Sequence, residues 1–396
     1  MGPFRALRHR NFRVFFLGQL TSLTGTWMQN VAQSWLVYRL THSELLLGTA
    51  GFLAHLPTLA LGTVGGVVAD RYNRRKIVLV AQTLFLLQSA TLAALTLTGK
   101  VTTTHVLALA LFGGLVDAFD RPARQAMLVN LAAKDDLLSA VSLNSLMFNA
   151  ARVVGPSIGG ITVAAFGEGV CFAINSVSFL AVLASLLALR LPIEPRMETL
   201  AHPLRHLIEG FRYAWRARDA AALLGLNAIV NLAVAPVWVL LPVFSDSIFH
   251  RGAAGVGLLT ASMGAGAVVG MIGLASRGHQ RGLLGVIFAS GLALAFAQAT
   301  FAASTLFALS AAAMALIGFG VMRMNGAINT ELQTHVPEEM RGRMMGLFAT
   351  ANVGVIPIGS LGGGALAQAF GAPTVVAGGA LICALAALVF HLTRRP

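Results

Sequence analysis

The chain has 396 residues, of which 56% are hydrophobic and only 11% are charged, and its mean hydropathy is +0.76. Soluble domains carry roughly 25% charged residues, so this composition excludes an ordinary soluble protein and indicates an integral membrane protein. The net charge of +13 does not indicate a nucleic-acid-binding protein, because the basic residues lie in short bursts between apolar runs and not on one wettable face.

Apolar segments of the length that spans a bilayer, roughly 20 residues each, follow one another along the whole chain. We predict an all-α fold with twelve transmembrane helices. Every loop is short except a connector between spans six and seven. The predicted spans are 12–38, 45–68, 77–98, 104–122, 138–165, 169–189, 220–244, 253–275, 283–302, 305–330, 342–369 and 373–392.

Basic residues occupy alternate loops. Of the 28 Lys and Arg residues, the opposite loops hold only Arg39, Lys100 and Arg251, and Arg152 and Arg323 lie inside predicted spans. Because basic loops face the cytoplasm, we expect a multi-pass protein of the cell inner membrane with both termini in the cytoplasm. Most of these basic residues are then orientation signals and not substrate ligands.

The first span carries a polar stripe. At 100° per residue, five side chains fall within about 60° of one line along the helix: Gln19, Ser22, Thr26, Asn30 and Gln33. A lipid-facing helix does not concentrate polar residues on one side, so we expect the stripe to line a substrate cavity; polar contact between helices is the alternative. Later spans add to the expected cavity wall His55, Thr58, Asn149, Asn227 and Asn231.

Three charged residues lie well inside predicted spans, and a fourth, Glu331, lies one residue beyond span ten. Within a span each charge costs at least ~2.5–3.5 kcal/mol and needs a partner or water. One interpretation is that Arg152 and Arg323 line the cavity for an anionic substrate such as a catecholate or carboxylate siderophore. Another is that Asp117 or Glu331 is the protonatable carboxylate that couples export to proton entry. A third is that Arg152 pairs with a neighbouring helix and fixes its packing.

The connector and an internal repeat define the organisation. The connector predicts an amphipathic helix on the membrane surface, because five apolar residues repeat in it at helical spacing: Leu204, Leu207, Ile208, Phe211 and Trp215.

A shift of 204 residues superposes two glycine patterns and two Ala-Phe-Gly tripeptides: Gly155, Gly159, Gly160 and 165–167 fall on Gly359, Gly363, Gly364 and 369–371.

We therefore predict two pseudo-symmetric six-helix halves, residues 1–189 and 220–396, joined by the cytoplasmic connector 190–219. Such proteins bind substrate near the membrane midplane and rock one half against the other. In span five, Gly155 and Gly159 permit close approach of another helix, and Pro156 removes one backbone hydrogen bond and bends the helix. We predict a helix-packing motif there, made of Gly155, Pro156, Gly159 and Gly160.

Residues 65–76 read Gly-Gly-Val-Val-Ala-Asp-Arg-Tyr-Asn-Arg-Arg-Lys and resemble the major facilitator signature Gly-x-x-x-Asp-Arg-x-Gly-Arg-Arg. Asn73 stands in the place of the second glycine, and both residue types tolerate a left-handed turn. Residues 155–160 resemble the antiporter motif of drug exporters, with Ala151 where that motif often has another glycine. Residues 118–126, 144–146 and 336–343 resemble the drug:proton antiporter-3 group, which includes enterobactin exporters and macrolide efflux pumps.

This resemblance implies the major facilitator fold and a conformational switch in the signature loop. It implies that Asp70 lies over the start of span eleven and that Arg74 pairs with an acid at the end of span four, for which Asp120 is placed. A static ion pair is the alternative. The predicted switch residues are Gly66, Asp70, Arg71, Arg74, Arg75 and Asp120.

We predict a secondary active exporter that moves a small amphipathic molecule, a drug or a secreted metabolite such as a siderophore, out of the cytoplasm in exchange for protons. An uptake permease or facilitator of the same fold and a lipid flippase are the alternatives; the repeat and the loop signature disfavour a receptor or anchor. No Walker A or metal-enzyme motif occurs in the sequence, so we expect no enzyme, cofactor or metal. We expect a monomer whose partners are its substrate, protons and lipid, and not nucleic acid.

Overall fold

The structure, a computed structural model, describes residues 4–189, 212, 217–277 and 282–393. Within these ranges every long element is an α-helix and no strand occurs. The amphipathic helix predicted for the connector lies outside the described residues.

Twelve long helices make up most of the described chain. They are α1 (Arg10–Thr41), α2 (Glu44–Arg71), α3 (Arg74–Leu97), α4 (Thr103–Leu128), α5 (Leu137–Phe166), α6 (Glu168–Ala188), α7 (Arg218–Val239), α8 (Gly252–Ala275), α9 (Leu283–Ala303), α10 (Phe307–His335), α11 (Glu338–Phe370) and α12 (Ala372–Thr393). A π-turn, Thr350–Gly354, interrupts α11, and a second π-turn, Phe244–Ile248, follows α7.

The twelve predicted spans are confirmed, and the main differences lie at helix ends. Helix α4 continues through Pro122 to Leu128, six residues beyond its predicted end. Ten of the twelve helices are long and apolar enough to cross a membrane by composition alone. The two others are α1, which carries the polar stripe, and α4, which carries four charged residues in its second half.

The chain divides into two compact units. Unit 1 contains Met1–Thr41 and Leu53–Leu200, and unit 2 contains His42–Phe52 and Ala201–Pro396. In unit 1, α1 packs on α5 and α6, and α3 packs on α4 and α6. In unit 2, α7 packs on α11 and α12, and α9 packs on α10 and α12. The two packing patterns correspond helix for helix, which is the pseudo-symmetry that the repeat predicts.

In unit 1, the repeated glycines bring α5 against α1. A methyl group at position 155 would lie 2.6 Å from Trp27 Cβ and 2.7 Å from the Thr24 carbonyl oxygen, and one at position 159 would lie 2.8 Å from Met28 Cα. Carbon atoms pack about 3.5–4.0 Å apart, so no side chain fits at either position. The two helices therefore touch backbone to backbone.

In unit 2, the corresponding glycines bring α11 against α7. A methyl group at position 359 would lie 2.6 Å from Ala235 Cβ and 2.8 Å from the Leu232 carbonyl oxygen, and one at position 363 would lie 2.7 Å from Pro236 Cβ. The repeated glycines thus have the same function in both units. The helix-packing role of these glycines stays a prediction, and the close approach in both units supports it.

The Ala-Phe-Gly repeat forms two equivalent turns. Gly167 separates α5 from α6 with a φ of 84°, and Gly371 separates α11 from α12 with a φ of 83°. Only glycine adopts this backbone conformation at no steric cost. The turn and the helix crossing are therefore repeated together.

The beginning of α2 packs within unit 2, on the second part of α11. A methyl group at Gly48 would lie 2.9 Å from Gly364 Cα, and one at Gly51 would lie 3.0 Å from Ser360 Cβ. The Ser43 hydroxyl lies 2.9 Å from the Gln368 side-chain oxygen and donates to it. Because α2 continues into unit 1, it is a structural connection between the two units.

We predict that Gly155→Ala and Gly359→Ala each destabilise the protein by about 1–3 kcal/mol, the usual range for an added group in a packed core. The measurement is the thermal unfolding midpoint in detergent. The control is Gly362→Ala, because a methyl group at position 362 has no neighbouring atom within 4 Å. Equal midpoints for all three variants would contradict the close crossings.

Candidate functional site

Helix α4 carries two ion pairs, each between an aspartate and an arginine one helical turn further along. Asp117 Oδ2 accepts a hydrogen bond of 2.6 Å from the Arg121 guanidinium, and the Thr58 hydroxyl of α2 lies 3.4 Å from the same oxygen. The structure thus brings together two predicted site residues, Asp117 and Thr58.

One turn further along α4, Asp120 is buried and has two partners. Its Oδ1 accepts a 3.0 Å hydrogen bond from Gln82 of α3, and its Oδ2 lies 3.3 Å from Arg124 Nε. Asp120 was predicted to pair with Arg74, but in this conformation it is held by these two other residues. The spacing of four residues in both Asp–Arg pairs is the helical spacing that favours ion pairs.

The signature loop makes its ion pair within itself. Asp70 is half exposed and lies 4.0 Å from Arg74 Nη2, and Arg74 Nε donates to the Ala69 carbonyl at 3.3 Å. The signature has a glycine at position 73, which suggested a left-handed backbone there. The backbone of Asn73 is not left-handed, since its φ is −62°, and its side chain caps α3 by accepting a hydrogen bond from the Lys76 N–H. The departure from the signature therefore gives α3 a cap that glycine cannot provide.

Two other predicted switch residues, Arg75 and Gly66, lie away from the Asp70–Arg74 pair in their contacts. Arg75 donates to the carbonyls of Leu186 and Leu187 and so satisfies the C-terminal end of α6. Gly66 faces open space, whereas Gly65 lies against the Ala118 carbonyl. Pro122 has no N–H to bond that carbonyl, so the close approach of α2 occurs where α4 lacks a backbone hydrogen bond.

The residues of the polar stripe on α1 differ in how deeply they are buried. Gln19 and Ser22 are buried, Thr26 and Gln33 are half-buried, and Asn30 is exposed. The Thr26 hydroxyl donates to the Ser22 carbonyl at 2.9 Å, and the buried Gln19 Oε1 has no hydrogen-bond partner among the described residues. Asn30 is therefore the stripe residue with the most accessible amide.

Arg152 of α5 lies on an aromatic residue of α1. Its guanidinium carbon is 5.8 Å from the centre of the Trp27 ring, which also makes an edge contact with Phe148. Asn149, one turn earlier, is buried and donates to the Ser145 carbonyl at 2.8 Å. An arginine over an aromatic face is the geometry of a cation–π contact.

In unit 2, Asn227 is fully buried and Asn231 donates to its carbonyl and its side-chain oxygen at 2.8 and 2.9 Å. Arg323 lies over Phe319, with its guanidinium carbon 5.2 Å from the ring centre. Glu331 lies 3.3 Å from His335.

A further amide in unit 2, that of Asn325, contacts Asn352 of the α11 π-turn at 3.4 Å. Such π-turns occur frequently at functional sites.

Sequence reasoning missed the buried polar centre of unit 1. Gln29 of α1 donates to Gln88 at 3.0 Å, and its Oε1 accepts from Ser89 at 2.7 Å and from Asn175 at 2.6 Å. These bonds join α1, α3 and α6. The partners of Gln29 lie on two other helices, Gln88 and Ser89 on α3 and Asn175 on α6, so no local sequence pattern indicates this centre.

Two ion pairs and one histidine–carboxylate contact at helix ends were also missed. Arg39 makes a two-bond contact with Glu168, at 2.6 and 3.2 Å, between the end of α1 and the start of α6. Asp136, before α5, lies 3.0 Å from Arg5 and 2.9 Å from His9. Each partner is more than 100 residues away along the chain, so spacing could not reveal these pairs.

Metal ligands do not gather in the described parts of the chain, where no group of three or more His, Cys, Asp or Glu residues is suitably placed. The candidate residues of the two units are paired carboxylates, amides and arginines on aromatic rings. In a helical membrane fold, groups of this kind can bind a small molecule or carry a proton.

Solved structures share this fold. The nucleoside transporter NupG superposes with a TM-score of 0.78 over 98% of this chain and 100% of that one, at 13% identity. A bacterial homologue of the iron transporter ferroportin superposes with a TM-score of 0.75 over 98% and 99% of the two chains, at 16% identity. The chain therefore has the same fold as these two proteins.

Sequence comparison gives the family. Residues 1–396 match the family described as transmembrane secretion effector, MFS_3. Enterobactin exporters of Shigella boydii (strain Sb227) and Escherichia coli O1:K1 are 30% identical to this chain over 363 residues, which cover 90% of this chain and 85% of each relative. The chain belongs to the major facilitator superfamily and is a secondary transporter that exports a small molecule. The prediction of this family and fold is confirmed.

We predict that Gln29→Leu lowers stability by about 2 kcal/mol, because it removes three hydrogen bonds that are worth on average ~0.6 kcal/mol each in membrane helices. The unfolding midpoint in detergent measures the effect. Asn30→Leu is the matched control, since the neighbouring amide is exposed. If the two variants lose stability equally, the buried centre does not have the role assigned to it.

Proposed function

We propose that this protein exports an anionic, amphipathic metabolite from the cytoplasm across the cell inner membrane in exchange for protons. The observation that carries the choice of cargo is that each unit holds an arginine on an aromatic ring. Arg152 lies over Trp27, and Arg323 lies over Phe319. A cation beside an aromatic face suits a ligand that has both a negative charge and a flat ring, such as a catecholate siderophore.

The names of the relatives support this class of cargo. Both are enterobactin exporters, and they match this chain over 90% of its length. At 30% identity the cargo of this chain is a member of the same chemical class and not necessarily the same compound. We propose further that the cavity residues are Gln19, Thr26, Asn30, Gln33, His55, Asn149, Arg152, Asn227, Asn231 and Arg323.

The orientation follows from the loop charges. Basic residues concentrate in alternate loops, and the positive-inside rule then gives cytoplasmic termini. In this orientation the turn between α2 and α3 faces the cytoplasm, and the turn between α1 and α2 faces the opposite side. We propose that the protein acts as a monomer of two halves, 1–189 and 220–396, joined by the connector 190–219.

Alternating access requires that contacts on one side of the membrane open. The beginning of α2 rests on α11 through Gly48, Gly51 and Gly364, while the remainder of α2 belongs to unit 1. Contacts between small residues have no interlocked side chains, so they separate without rotamer changes. We propose that this contact opens in each transport cycle and that the switch residues of the signature loop, Gly66, Asp70, Arg71, Arg74 and Arg75, with Asp120, respond on the cytoplasmic side.

Proton coupling is assigned to Asp117. Its carboxylate is three-quarters buried and its ion-pair partner, Arg121, is on the same helix. Protonation of Asp117 removes the charge that holds Arg121 and leaves Thr58 as the neighbour on α2. A single proton therefore changes how α4 contacts α2. Glu331 is the alternative carrier, but its neighbour, His335, is exposed and lies at the end of α10.

The cargo is identified by comparing metabolites in cells and medium, with the gene deleted and restored, under iron-rich and iron-poor conditions. We expect one anionic aromatic metabolite to accumulate in cells and disappear from the medium after deletion. If no compound is trapped and the cells become sensitive to several unrelated drugs, the protein is a broad-range pump and the dedicated cargo is wrong.

We predict that Asp117→Asn abolishes cargo transport driven by a proton gradient in proteoliposomes but retains exchange of cargo for cargo, which needs no net proton movement. Glu331→Gln is the matched variant at the alternative carboxylate and should retain both activities. Gradient-driven transport that persists in Asp117→Asn and is lost in Glu331→Gln would assign the proton to Glu331.

We predict that Arg152→Gln and Arg323→Gln each weaken binding of the anionic cargo by about 10- to 100-fold, because a hydrogen bond to a charged group contributes about 1.5–3 kcal/mol. Binding to purified protein is measured by calorimetry. Arg277→Gln is the control, since this exposed arginine lies beyond the end of α8. An equal loss in the control would show that the effect reflects net charge alone.

A further inference from the structure

Unit 1 contains a cavity beside the signature loop, and the transport proposal assigns no ligand to it. Its volume is about 960 Å³, near the upper end of the roughly 300–1,000 Å³ of small-molecule sites. The cavity lies where α2 ends and α3 begins, and it continues between α3 and α4. Its lining comes from three helices and includes both strongly apolar and strongly basic side chains.

The walls of this cavity are apolar along two helices. On α3 the lining residues recur at helical spacing, and on α4 a second set recurs at the same spacing, so each helix presents one continuous apolar face. The exposed fraction of Val80 is 60%, and that of Leu115 is 38%. The faces are formed by Ile77, Val80, Ala81 and Leu84 on α3, and by Phe112, Leu115, Val116 and Phe119 on α4.

The mouth of the cavity is basic. Arg71, Arg74 and Lys76 line it beside a single acid, Asp70. Asp70 lies 4.0 Å from Arg74, and so its charge is directed to that residue. The side chains of Arg71 and Lys76 are exposed and form no ion pair with the described residues. The mouth therefore carries an excess of positive charge directly above an apolar groove.

We propose that this cavity, the α3–α4 groove, binds one anionic phospholipid, with its phosphate at Arg71 and Lys76 and an acyl chain between α3 and α4. Charge complementarity selects a negative headgroup, and the two apolar faces require a hydrocarbon chain of the same molecule. A free phosphate would leave both faces uncovered. In the proposed orientation the mouth lies at the cytoplasmic leaflet, whose anionic lipids attract basic residues.

A bound lipid would lie against the signature loop. The same short segment supplies Arg71 and Lys76 to the groove and Asp70 and Arg74 to the switch pair. The headgroup would therefore add a negative charge beside the Asp70–Arg74 pair.

The test is native mass spectrometry of the purified, delipidated protein titrated with dioleoyl phosphatidylglycerol or dioleoyl phosphatidylcholine. We expect at least tenfold tighter binding of the anionic lipid. In the double variant Arg71→Gln with Lys76→Gln, this binding should weaken by about fivefold for each charge removed. The control, Arg8→Gln with Arg13→Gln, removes the same charge from two exposed arginines outside the groove and should bind as the unmodified protein does.

A second variant tests the apolar part of the site. Leu115→Trp fills the groove and should reduce binding of both lipids without a change of charge. Equal anionic-lipid binding in the unmodified protein and in the Arg71–Lys76 double variant would overturn the proposal. Displacement of the lipid by millimolar inorganic phosphate would also overturn it, because the site would then recognise a phosphate alone. The experiment measures lipid binding, so its result does not depend on whether the export proposal is correct.

Discussion

The absence of side chains at two helix crossings is the constraint on which the rest of this structure depends. Helix α5 reaches α1 because positions 155 and 159 are glycines, and α11 reaches α7 through the glycines at 359 and 363. These crossings fix the distance between the helices that carry the polar stripe, Arg152 and the α11 π-turn. The site residues of each unit are therefore positioned by contacts in which they take no part.

Charge is accommodated by pairing along one helix. On α4, each aspartate has an arginine one turn further along, and Asp120 has Gln82 in addition. A charged helix is stable in a membrane protein only if such partners accompany it. The arrangement leaves Asp117 as the more accessible acid, at 24% side-chain exposure against 2% for Asp120. This difference in exposure supports the proposal that Asp117, and not Asp120, exchanges the proton.

The sequence predicted the fold well because the signals for it are local or periodic. Apolar runs gave the twelve helices, and the glycine repeat gave the correspondence between the units. Most of the failures concern contacts at long range. Gln82, which bonds Asp120, is on α3, and the Gln29 centre joins three helices. The role of Asn73 as a cap required its backbone conformation, which a motif does not contain.

The proposed transport cycle requires the start of α2 to separate from α11, and a reversible cross-link between them tests this most directly. Ser43 and Gln368 are in hydrogen-bond contact, so Ser43→Cys with Gln368→Cys places two thiols side by side, while the natural Cys171 and Cys383 are buried. We expect oxidation to stop export in the double variant, reductant to restore it, and each single variant to export normally. Full export by the oxidised double variant would contradict the mechanism.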